Sequence, residues 1–211
     1  MFAITADQID SRNRPDHAEA ALELLARLGG DRLALPADRT AGDEVQVLTG
    51  DARTALDIVL ALARTEQWSV GVGIGGVRAP LPSATRAATG DALVAAREAV
   101  EAAKRRPTRV ALAAGRGTRP AAETLQAVID LLLQLRDRRS PEGWELYDLV
   151  ETGLTQAEAA ERLGITPQAA SKRAIAAGIR LDAAARDGIV ELLALADGTD
   201  AGAAPRTEDS A

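Results

Sequence analysis

The sequence predicts an α+β protein in two parts: a ferredoxin-like sandwich with helices on one face of a mainly antiparallel sheet, then an all-helical domain. Three observations predict it. Short Val/Ile-rich runs alternate with Ala/Leu-rich helical stretches up to about residue 115, in the order β-α-β-β-α-β-α-β. After Gly117 the apolar spacing is helical throughout. Residues 154–178 then carry the start and stop signals of two helices joined by a tight turn.

Taken in order, Phe2–Ala6 is an apolar run ending at Asp7 and reads as a strand. The polar stretch Arg12–Asp16, with Pro15, turns the chain into a helix at Ala18–Leu28, which Gly29-Gly30 stops. Leu33–Leu35 is a short strand, Pro36 and Gly42 are turn signals, and Val45–Leu48 is a strand. Asp51 is the N-cap of a helix to about Thr65. Trp68–Val77 alternates Val and Ile with small residues, as a strand does, and Arg78–Thr89 is a loop with Pro80 and Pro82. An amphipathic helix at Asp91–Arg105 and a strand at Thr108–Ala113 close the first domain, residues 1–116. Helices follow at Ala121–Arg138, Pro141–Glu151, Thr155–Leu163, Pro167–Ala176 and Ala183–Leu195, in a domain spanning 117–196. The helix from Ala121 suits a linker or a dimerising arm. Residues 197–211 are small, polar and acidic, a composition expected to be disordered.

Composition removes several function classes. Of 211 residues, 46% are hydrophobic but only 2% aromatic, so the core is built from Ala, Leu, Val and Ile. With no cysteine, disulfides, thiolate zinc sites and cysteine nucleophiles are excluded. His17 is the only histidine, so any His-based triad or metal site would rest on it alone. The net charge of -6 lacks a whole-protein basic footprint, so a nucleic-acid partner requires local concentration of positive charge. No apolar run approaches the roughly 20 residues of a membrane span, which excludes a membrane partner of that kind. The N-terminus has no basic region leading into an apolar stretch, so the expected compartment is the cytoplasm.

The strongest local signal is a helix-turn-helix over residues 154–178. Thr155 caps a helix, and Glu158 three residues on completes a capping box. Ala160 is small where a second helix must pack close. Gly164 ends the first helix in a turn that favours positive φ. Ile165 is expected to plug the core between the helices and Ala170 to face inward. Thr166 caps the second helix, and Pro167 stands at its first position, where a missing N–H costs nothing. Thr166, Gln168, Ser171, Lys172 and Arg173 are then the candidate contacts to base edges and phosphates of double-stranded DNA. No acidic residue occurs from Arg162 to Leu181, while Arg162, Lys172, Arg173 and Arg180 are basic. A second acid-free stretch, Ala102–Ala122, carries Lys104, Arg105, Arg106, Arg109, Arg116 and Arg119. The segment LTQAEAAERLGITPQAASKR resembles the helix-turn-helix of MarR-type and sigma-factor-like regulators. That likeness implies a transcriptional regulator, expected to act as a homodimer.

Two acidic signatures mark the first domain. Asp7–Arg12 follows the first strand, and Gly42-Asp43-Glu44-Val45-Gln46 lies between two others. Carboxylates at the ends of adjacent strands can hold a divalent metal such as Mg²⁺, and the metal a nucleotide triphosphate. The glycine-rich strand Val70–Val77 and the helix Gly90–Glu98 complete a pattern similar to the SatD family over about residues 1–115. The resemblance implies a ferredoxin-like palm, the fold shared by class III nucleotide cyclases and diguanylate cyclases. It implies Asp7 and Asp43 as metal ligands and Arg97 as a nucleotide contact. The pattern departs from active cyclases where Leu93 stands in place of the Asn four residues before Arg97, and Ala41 in place of the first Gly of the GGDEF motif. Loss of one preorganised donor typically costs about 10²–10³ in rate. The expectation is therefore a non-enzymatic, degenerate palm used for dimerisation or for sensing a nucleotide, the alternative being a metal-dependent nucleotidyl cyclase. The run Gly71-Val-Gly73-Ile-Gly75-Gly76 spells a dinucleotide fingerprint but lies within one strand with no helix after it. Its small residues instead predict close approach of another backbone.

Overall fold

The computed structural model describes residues 1–198 except Ala41 and Arg116. Its strands are β1 (Phe2–Gln8), β2 (Leu33–Arg39), β3 (Glu44–Thr49), β4 (Trp68–Ile74) and β5 (Val110–Ala114). Its helices are α1 (Ala18–Gly29), α2 (Ala52–Arg64), α3 (Asp91–Ala103), α4 (Ala122–Asp137), α5 (Pro141–Glu151), α6 (Gln156–Arg162), α7 (Pro167–Ala176) and α8 (Ile179–Ala196). The class is α+β, with one five-stranded sheet followed by helices. No helix among the described residues is long and apolar enough to cross a membrane. Of the polar tail expected from residue 197, Asp197 and Gly198 form a turn bonded back to the last carbonyls of α8, and residues 199–211 lie outside the described residues.

The sheet order is β2-β3-β1-β4-β5. β1 lies antiparallel between β3 and β4, and β2 antiparallel to β3. β5 is parallel to β4, because α3 crosses between them. β2 runs longer than its three apolar residues predict and contains Pro36. An edge strand tolerates a residue without an N–H, and the pairing with β3 shifts register around that point.

Alternation assigns the two faces of the sheet. Phe2, Ile4, Ala6, Val45, Val47, Val70, Val72 and Ile74 are buried on one face, the side of α1 and α2. On the other face lie Ala3, Leu48, Gly71 and Gly73, covered by α3 through Ala92 and Ala96. The expectation of helices on one face is corrected here: the sheet is sandwiched. The cause is the glycine-rich strand. A Cβ built on Gly73 would lie 2.0 Å from the Ala92 carbonyl, and one on Gly71 2.2 Å from the Val100 nitrogen. The absence of side chains at Gly71 and Gly73 of β4, matched by Ala92, Ala96, Ala99 and Ala103 on α3, lets helix and strand backbones meet.

The chain forms two compact units: residues 1–128 with the chain from Ile189 onward, and residues 129–188. The division falls inside α4 and α8 rather than near Gly117. Gln126 on α4 explains the first boundary. Its side chain accepts from the Leu112 N–H at 2.8 Å and donates to the Val110 carbonyl at 3.2 Å. It thus pairs backbone groups on the free edge of β5, which would otherwise be exposed. α8 starts four residues earlier than its apolar spacing predicts, because the Asp182 N–H bonds the Gly178 carbonyl and closes a first turn.

Gly73→Ala should lower the unfolding free energy by about 1–3 kcal/mol, since backbone cannot yield as a side chain can. Gly76→Ala, with nothing within 4 Å of the added Cβ, should be close to silent. Urea unfolding of both variants checks this; equal effects would contradict it.

Candidate functional site

The unit spanning 129–188 is built on α5, α6 and α7, which pack on a core of Leu146, Tyr147, Ala159, Ala177 and Ile179. α6 begins at a capping box: the Thr155 hydroxyl accepts from the Glu158 N–H at 3.2 Å, and the Glu158 carboxylate accepts from the Thr155 N–H at 2.7 Å. It ends where Gly164 adopts φ +64°, with Ile165 N–H bonded to the Ala160 carbonyl and Gly164 N–H to that of Glu161. These two bonds satisfy the last carbonyls of the helix and redirect the chain. α7 restarts at once, because Thr166 accepts from the Ala169 N–H at 3.2 Å and Pro167 follows it. Ala160 and Ala170 are buried, as their size suits. Ile165 is only half-buried, and the apolar centre expected of it is supplied by the core just named.

The outward side of α7 carries Gln168, Ser171 and Lys172, all exposed and without a hydrogen bond or ion pair among the described residues. Thr166 is exposed too, but its hydroxyl is engaged as the cap. Arg173 departs from the expectation of a free cation. Its side chain is 24% exposed, lies 3.7 Å from the Glu145 carboxylate and donates to the Glu142 carbonyl at 3.4 Å. It braces α7 against α5. Lys172 on α7 and Arg180 on α8 remain as exposed cations, with Arg162 at the end of α6.

Sequence reasoning missed the cluster that holds α7 at its far end. Asp182 is fully buried and binds two guanidinium groups, Arg136 at 2.9 Å and Arg139 at 2.9 Å. Arg139 also donates from Nε to the Ala177 carbonyl at 2.9 Å, at the C-cap of α7. Trp144 and Tyr147, packed edge to face at 5.2 Å, each place a ring centroid 4.3 Å from the Arg139 guanidinium carbon. Arg139 Nη1 is buried and finds no hydrogen-bond partner among the described residues; the ring faces are its neighbours. Burial lowers the Arg139 pKa against the raising effect of Asp182. The available signal was an Arg pair three residues apart where a helix ends, Arg136 within α4 and Arg139 just beyond it, followed by the Trp144-Tyr147 pair.

In the sheet unit, the residues expected to converge are only partly brought together. Asp7 stands opposite Glu44, not Asp43, across the β1–β3 pair, so the second carboxylate on that face is Glu44. Asp43 precedes β3, where its carbonyl accepts from the Gln8 N–H at 3.3 Å. Thr40 donates its hydroxyl to the Glu44 carboxylate. Lys104 lies 3.2 Å from Asp7 and 2.8 Å from Glu101. Arg97, 71% exposed, reaches within 3.9 Å of Glu44. Burial works to lower the Lys104 pKa, but hydrogen bonds to Glu101 and Asp7 outweigh it and hold the amine above its usual value. Beneath lie buried Thr5, Gln46 and Ser69, with Gln46 donating to the Thr5 hydroxyl at 3.3 Å. Both carboxylates face cations, Glu44 that of Arg97 on α3 and Asp7 that of Lys104 just after it, and no group of three or more His, Cys, Asp or Glu suited to a metal occurs among the described residues.

Asp182→Asn leaves two buried guanidinium groups without a counter-charge, and should destabilise this helical unit by about 3–5 kcal/mol in urea unfolding; a loss below 1 kcal/mol would contradict the role given to Asp182. A second expectation concerns pH. The side-chain hydrogen bond from Thr155, then its backbone N–H, holds the Glu158 carboxyl below the usual range. The stability linked to that shift is complete above the ordinary carboxyl pKa and lost as pH falls through the lowered one. Glu158→Ala should therefore differ from the parent in thermal unfolding at pH 7 and converge on it in acid; a constant gap would contradict the ionic cap.

No family model, curated protein or solved structure matches the chain.

Proposed function

We propose that the protein is a DNA-binding transcriptional regulator that reads duplex DNA with α7, the second helix of a helix-turn-helix. The observation that carries this is the outward side of α7: Gln168, Ser171 and Lys172 stand exposed and unengaged in a stretch with no acidic residue from Arg162 to Leu181. The four-residue turn 163–166, with Gly164 in the left-handed region, has the length and chemistry of such a motif. Gln and Ser side chains suit base edges in the major groove, while Lys172, Arg162 and Arg180 suit phosphates. Clearing acids locally is what lets a chain of net charge -6 approach a polyanion.

For the sheet unit we propose a ferredoxin-like palm of the SatD type, acting in dimerisation or in sensing a nucleotide rather than in catalysis. Its support is the order β2-β3-β1-β4 joined as β-α-β-β-α-β. Against catalysis stand Leu93 in place of a catalytic Asn, and the pairing of Asp7 and Glu44 with Lys104 and Arg97. A homodimer would present two copies of α7 to a two-fold-related site.

Fluorescence anisotropy of the full chain with a duplex pool of random sequence tests the DNA reading. Binding should weaken steeply with salt. Lys172→Ala together with Arg180→Ala should weaken it at every sequence and reduce the salt slope by about one per phosphate contact removed. Unchanged affinity in this double variant, with circular dichroism unchanged, would overturn the assignment of α7.

A further inference from the structure

Ile175 is 78% exposed, more than any other exposed large hydrophobic side chain among the described residues. It does not stand on an apolar patch of its own helix. Residues three, four and seven apart share a helix face, so Ile175 lies in line with Gln168, Ser171 and Lys172. Gln168, Ser171 and Lys172 thus share their helix face with one branched apolar side chain, with Arg180 close after it in the chain and no acidic residue before Asp182.

This combination fits one surface. A protein partner matched to Ile175 alone would meet the cations around it, whereas the major groove of DNA offers phosphates at its rims and apolar thymine 5-methyl groups on its floor. Gln168 and Ile175 are seven residues apart, or about 10 Å along a helix axis at 1.5 Å per residue. At about 3.4 Å per base step that spans about three base pairs. Glutamine pairs with the N6 and N7 of adenine through two hydrogen bonds. Resting on the DNA-binding role of α7, we propose that Ile175 is a specificity determinant that contacts the 5-methyl of a thymine about three base pairs from an adenine read by Gln168.

Deoxyuridine provides the test, because it differs from thymine only by that methyl. Duplexes selected by the full chain from a random pool are remade with deoxyuridine at each thymine in turn. At one thymine per bound motif the substitution should weaken binding about fourfold, the effect of one lost methyl contact. Ile175→Ala should bind the thymine and deoxyuridine duplexes equally, and Gln168→Ala should lose the preference for adenine about three base pairs away. Duplexes that bind, and still weaken with Lys172→Ala and Arg180→Ala, yet ignore every deoxyuridine, would overturn the Ile175 contact and leave the DNA-binding role standing. No selected duplex at all would overturn both. A change in the sedimentation mass of unliganded Ile175→Ala would make Ile175 a contact between copies of the chain and overturn the proposal.

Discussion

A carboxylate buried beyond reach of water must be compensated where it sits, and Asp182 is compensated twice, by Arg136 and Arg139. Because Arg139 also binds the carbonyl at the end of α7 and lies against two aromatic rings, that single charge ties α4, α5, the C-terminus of α7 and the start of α8 to one point. The opposite end of α7 is held by Thr166 and Pro167, and its flank by Arg173 on Glu145. A ten-residue helix is too short to be stable alone. Here its two ends and one side are fastened by directional bonds, which leaves the remaining side free of structural duty. Gln168, Ser171, Lys172 and Ile175 occupy that side.

The sheet unit follows another logic. Apolar alternation fills the face under α1 and α2, while the opposite face gives up side-chain volume so that α3 can lie directly on β4. Arg97 on α3 and Lys104 at its C-cap come with it. Lys104 and Arg97 sit against Asp7 and Glu44 because the helix is close, and the polar corner of the sheet is neutralised by the protein's own charges.

Local features were legible in the sequence because their physics is local. Caps at Asp51, Thr155 and Thr166, the stop at Gly164 and the alternation in β4 each depend on a few adjacent residues. What could not be read there depends on distant partners. Asp182 meets arginines more than forty residues away in the chain. Whether Asp43 or Glu44 faces Asp7 is a matter of strand register, and one residue of shift changes the face. Arg173 looked like a free cation because the spacing that puts it on α7 says nothing of α5 beneath it. The side of the sheet that α3 covers is set by the crossover from β4 to β5, although the glycines that permit it were visible.

Whether α7 lies in a major groove can be measured directly, because the chain has no cysteine. Ser171→Cys introduces a unique thiol in the middle of the exposed side, to which a tethered iron chelate can be attached for strand cleavage of bound duplex. We predict cuts confined to a few base pairs within the bound motif, with the stagger between strands that marks a reagent in the major groove. Uniform cleavage, or a pattern no different from that of the same reagent on Val94→Cys of α3, would contradict it.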